Sequence, residues 1–200
     1  MVQAGRKSIA VGVLLYCSIL RPQDPASSLD TTGEATVDGR STSYLIHHLP
    51  VNAFPELPPA VAAGLTHRGC LIPQTYEAHH PENVVHASFE HRGSSDWAVL
   101  CSAKGIVSLL VFLASSNGDA TVLATAPEIS RLQAHGSRAD LGFNWAIDPA
   151  SPEQVHEAQL GMRHPPPRLD HDALADSTID QKTIYRSYGH GAWTTLDTQD

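Results

Sequence analysis

Residues 96–112, DWAVLCSAKGIVSLLVF, constrain this chain more than any other stretch, because they read as two buried strands joined by a tight turn. Trp97 to Cys101 is apolar throughout. Ala103-Lys104-Gly105 supplies a three-residue loop with glycine where a positive φ is wanted, and Ile106 to Phe112 is apolar again except at Ser108. Strands that are apolar on both alternating faces need cover on both sides. The pattern therefore predicts a hairpin in the middle of a sheet, with a layer packed above it and another below.

Other elements fall into place around this hairpin. Pro58-Pro59 ahead of an alanine-rich run, with His67 and Arg68 at its end and Gly69 after it, predicts a short helix, and Cys70-Leu71-Ile72 a short strand stopped at Pro73. Val84 to Phe89 alternates as a half-buried strand does, and Asn117-Gly118 turns the chain into a further strand over 121–125. Phe143 to Ile147 reads as a fifth strand. Ser151, Pro152 and Gln154 then make the clearest helix start in the chain, a capping box with proline at the first helical position. Residues 183–188 and 192–196 suggest a last hairpin turning at Gly189-His190-Gly191. The expected fold class is α+β: a mainly antiparallel β-meander with two short helices packed on it.

The N-terminus reads as an export signal. Arg6 and Lys7 precede about thirteen mostly apolar residues, Ser8 to Leu20, too few for the ~20 of a membrane-spanning helix. Cleavage after small residues near Ala26-Ser27-Ser28 would make 1–28 a signal peptide. Cys17 lacks the small preceding residue of a lipidation site, since Tyr16 stands there. Residues 29–43, poor in large apolar side chains, are expected to be a disordered linker, and 44–200 a single α+β domain. The expected location is exported, periplasmic or extracellular, with no stable membrane span in the mature form.

Loss of 1–28 removes Arg6, Lys7 and Arg21 against Asp24, which moves the formal charge from −8 to −10. An acidic chain with scattered basic residues lacks the electrostatic footprint of a nucleic-acid binder. Cys70 and Cys101 are then the remaining cysteines, an even pair that points to a disulfide in an oxidising compartment. Two buried free thiols, or a catalytic cysteine, are the alternatives.

Twelve histidines are a high count for 200 residues. His79, His80, His86 and His91 fall within thirteen residues, with Glu77, Glu82 and Glu90 among them, and imidazoles with a nearby carboxylate suit zinc. Solvated loop histidines are the plainer reading, so no cofactor is expected and zinc is the exception to test. Asp170, Asp172, Asp176 and Asp180 form an acidic group without a calcium-loop pattern. The chain contains no G-x-S-x-G, P-loop, H-E-x-x-H or C-x-x-C motif. Trp97, Trp145 and Trp193 each sit in an apolar strand run and read as core.

The segments Cys70-Leu71-Ile72-Pro73-Gln74 and Asp96-Trp97-Ala98-Val99-Leu100-Cys101 resemble those of a group of exported bacterial proteins of uncharacterised function. In that group a cysteine beside Ile-Pro-Gln precedes a strand of this type. The resemblance spans about residues 55–196 and its motifs are structural, so it implies no active site. The expectation is an exported, non-catalytic domain that binds a protein or a cell-envelope ligand. Two alternatives stand beside it: a metal-assisted hydrolase using the 79–91 histidines with Glu82 or Glu90 as base, and an inhibitor of a secreted enzyme presenting the 74–83 loop.

Overall fold

The structure is a computed structural model that describes residues 29–37, 39–137 and 140–198, so the signal-peptide reading of 1–28 lies outside the described residues. In chain order the strands are β1 (Thr31–Val37), β2 (Arg40–Ile46), β3 (His48–Pro50), β4 (Leu71–Pro73), β5 (Val84–Ala87), β6 (Asp96–Ala103) and β7 (Ile106–Phe112). They continue as β8 (Thr121–Pro127), β9 (Leu132–His135), β10 (Asp140–Phe143), β11 (Trp145–Ala150), β12 (Ala173–Thr178), β13 (Lys182–Gly189) and β14 (Ala192–Thr195). The helices are α1 (Pro59–His67) and α2 (Pro152–Ala158).

These strands form three sheets, where the sequence suggested one meander. The central sheet runs β3-β4-β6-β7-β8 with β5 also on β6, a second runs β1-β2-β10-β9, and a third runs β11-β12-β13-β14. All neighbours are antiparallel except β2 and β10, which pair in parallel through Leu141 opposite Tyr44 and Gly142 opposite Leu45. β4 and β5 share one edge of β6: Leu71 pairs with Ser102 at one end, and Val84–Ala87 pair with Asp96–Val99 at the other.

The 96–112 hairpin holds the middle of the central sheet, as its pattern demands. Its loop is shorter than the sequence suggested, because Ala103 pairs with Ile106 and leaves Lys104-Gly105 as a two-residue turn. Both have positive φ, 53° and 76°, the type I′ geometry whose twist matches that of the flanking strands. On one face Ala98, Leu100, Val107, Leu109 and Val111 pack with Trp145, Ile147 and Leu174 of the third sheet and Ile46 and Phe143 of the second. Trp97, Val99, Leu110 and Phe112 on the other face pack under Phe54, Val61 and Leu65, from α1 and the segment before it. Both sides of the hairpin are therefore dry.

Residues 29–43 are corrected by the structure. They form most of the β1–β2 hairpin, with seven paired positions from Thr31 opposite Ile46 to Val37 opposite Arg40. Composition misleads here because the hairpin is not asked to bury its own core. Its ladder continues into β10, Ile46 reaches the shared core, and the Tyr44 ring covers Gly33 so closely that a Cβ there would lie 2.8 Å from it. The expected fifth strand is also two strands. Asn144 interrupts it, its N–H donating to the Arg131 carbonyl at 2.9 Å and its carbonyl accepting from Ile179 at 3.0 Å, so the chain passes from the second sheet to the third at that residue.

Cys70 and Cys101 are joined by a disulfide, with Cα atoms 5.0 Å apart. The bridge ties the end of α1 to the central strand β6. Titration of the denatured, non-reduced protein that has lost 1–28 is expected to find no free thiol, and two reactive thiols per chain would contradict the bridge.

Candidate functional site

A cleft of about 280 Å³ opens where the loop after β4 lies against the second sheet, lined by Leu45, His47, Gln74, Thr75, Tyr76, Ala78 and His135. Its frame is the 74–82 loop, closed at its base by reciprocal bonds. The Gln74 amide donates to the Glu82 carbonyl at 3.1 Å and accepts from the Glu82 N–H at 2.9 Å, while the Thr75 N–H donates to the Glu82 carboxylate at 2.7 Å. Two further backbone bonds, Gln74 to His47 at 2.9 Å and Tyr76 to Phe143 at 3.0 Å, fix the loop to the sheet.

Tyr76 lies flat over β10 because residue 142 is glycine: a Cβ there would come within 2.5 Å of Tyr76 Cβ and 2.9 Å of His135 Nε2. The tyrosine ring stacks on His135 with centroids 4.5 Å apart and planes 6° from parallel. Its hydroxyl donates to Asp180 at 3.3 Å and accepts from Gln133 at 3.2 Å. Burial first, then the carboxylates of Asp180 and Glu77, hold the phenol above the ordinary tyrosine range, so it stays a neutral donor. Across the cleft, His47 Nδ1 bonds Asp30 at 2.6 Å, and Leu45 is an exposed wall at 52% accessibility. The lining is mostly apolar, with a few placed polar atoms, as small-ligand sites are.

The histidines singled out in the sequence lie elsewhere and are dispersed. His79 and His80 are exposed on the outer part of the 74–82 loop. His86, on β5, stacks on Trp97 at 4.5 Å and bonds Ser95 through Nε2 at 2.8 Å, while His91 sits in the following turn against the Arg92 carbonyl. Glu82 and Glu90, considered as bases, accept hydrogen bonds from Thr75 and Ser115. Among the described residues no three His, Cys, Asp or Glu side chains are grouped so as to hold a metal ion. The aspartates over 170–180 also part company: Asp176 is buried between Trp145 and Arg186, Asp172 bonds the Ser88 N–H, and Asp180 meets Tyr76.

Other polar groups that could suggest catalysis are internal fastenings. Asp96 is fully buried and accepts from the N–H groups of Glu90 and Ala114, both at 2.7 Å, and from the Ser94 hydroxyl. Buried Ser102 and His48 both bond one oxygen of Glu128, each at 2.7 Å. The serine proton is thus directed to a carboxylate and not to an imidazole, so the serine–histidine order of a nucleophile and its base is not formed at Ser102.

No family model, curated protein or solved structure matches this chain. Sequence inspection missed the cleft because its lining comes from three separated segments, 45–47, 74–78 and 135, none of which carries a motif. The signals available were Gly142 within a strand, where a ring from elsewhere can lie, and the reciprocal Gln74–Glu82 spacing. No helix among the described residues is long and apolar enough to cross a membrane.

Proposed function

We propose that the protein is an exported, non-catalytic binding domain that holds a small cell-envelope ligand in the Leu45–His47–Tyr76–His135 cleft. One observation carries the reading: the Tyr76–His135 stack, fixed by Gly142, Asp180 and Gln133, stands open beside the exposed Leu45 wall. Small-ligand sites are concave and mostly apolar with a few placed polar groups, and this cleft has that character. The chemistry around it suits binding better than catalysis, because the nearby carboxylates and amides hold the loop, and the hydroxyl–imidazole pair Ser95–His86, at 2.8 Å, lies outside the cleft. A fragment mixture titrated into the isotope-labelled protein tests this. Backbone signals of residues 45–47, 75–78 and 135 should shift together, and shifts clustered at another surface would refute the cleft as the binding site.

A further inference from the structure

We propose that the ring bound in this cleft is an N-acetylated amino sugar, with its acetamido methyl against Leu45 and Ala78 and its amide N–H donated to Nε2 of His47. The inference rests on the cleft being the binding site and names what it takes. Size comes first: about 280 Å³ lies at the lower end of ligand pockets and admits one ring at a time.

Polarity narrows the class. The Gln74 amide is committed to Ile72 and Glu82, and the Tyr76 hydroxyl to Asp180 and Gln133. That leaves His47, Thr75 and the His135 ring to meet a ligand. With Nδ1 of His47 donating to Asp30, the tautomer that carries a single ring proton presents Nε2 as an acceptor, and a donor on the ligand would match it. A purely apolar ring would desolvate that nitrogen without replacing its hydrogen bond to water.

Charge removes the acidic alternatives. No lysine or arginine lines the cleft, Asp30 stands behind His47, and the chain as a whole carries −8, so a carboxylated ligand would meet repulsion. A neutral ring that joins a methyl group, an amide donor and hydroxyls fits all three constraints. The flat imidazole–phenol pair offers its surface to the C–H face of such a ring.

N-acetylglucosamine and glucose, titrated separately into the labelled full chain, decide the matter. The acetylated sugar should shift residues 45–47, 75–78 and 135 with an affinity on the order of millimolar, and glucose should bind about tenfold more weakly or not at all. His47→Ala should lose about tenfold, with part recovered in His47→Gln, whose amide oxygen can still accept. Equal binding of the two sugars, an unchanged His47→Ala, or no shift with either sugar would overturn the assignment. Fragments that shift the cleft where N-acetylglucosamine does not would refute the sugar alone. Fragments that settle elsewhere would refute both readings. Co-sedimentation with chitin or with peptidoglycan sacculi then tells which polymer presents the sugar.

Discussion

Replacing either Leu109 or Leu110 by alanine is expected to cost about 2–5 kcal/mol, a large part of the ~5–15 kcal/mol that holds a domain folded. The two residues are neighbours on β7 yet point to opposite faces. Leu109 is fully buried against the third sheet's side of the core, and Leu110, 2% exposed, packs on the side covered by α1. Neither site can refill the lost volume cheaply. Leu109 is pinned across the ladder by Leu100 and Ala124, and Leu110 by Val99 and Val122. An ordinary half-solvated antiparallel sheet would instead tolerate one of the pair. Urea denaturation of both variants measures the difference, and a loss below about 1 kcal/mol at either position would show that its face is open to water.

Loss of the Glu128 carboxylate should be as damaging, by about 3–5 kcal/mol for Glu128→Ala, because it strands the buried His48 ring and Ser102 hydroxyl together. This cluster sits where the central sheet meets the turn into β9, and His48 also bonds the Leu29 carbonyl at 2.9 Å, so it fastens the start of the described chain as well. Burial alone would raise the Glu128 pKa. Hydrogen bonds from His48 and Ser102, with the His48 charge, outweigh it and hold the carboxyl below the ordinary glutamate range. A carboxyl depressed on folding stabilises the native state above its unfolded pKa of about 4.3, and that stability is lost as pH falls through the folded value. Wild-type stability should therefore drop on acidification below about pH 4.3, and Glu128→Gln should flatten that part of the profile. An unchanged profile in the glutamine variant would assign acid sensitivity to other carboxylates.

Where a segment's environment is local, its residues revealed it. The 96–112 run displayed its two buried faces, the Ser151–Gln154 capping box is formed with both reciprocal bonds, and the Asn117-Gly118 turn has both residues at positive φ. What failed was long-range. β1 and β2 looked too polar to order because their support comes from β10, a hundred residues later, and from a tyrosine lying on a glycine across the ladder. Histidine density drew attention to 79–91, but strand alternation and turns send those rings in different directions. Asp176 read as part of an acidic group and instead, paired with Arg186, anchors Trp145, whose face also carries the Arg131 guanidinium at 4.0 Å. The cleft itself was invisible because it exists only once three separate segments meet.

On the proposed function the cleft serves recognition and the frame does not depend on it. Leu45→Glu tests this most directly, since Leu45 is 52% exposed and contributes little buried area. Urea denaturation and fragment titration of this one variant should show stability within about 0.5 kcal/mol of the parent and loss of the shifts at 45–47, 75–78 and 135. Undiminished ligand shifts in a folded Leu45→Glu protein, or a loss of stability comparable to Leu109→Ala, would contradict the account.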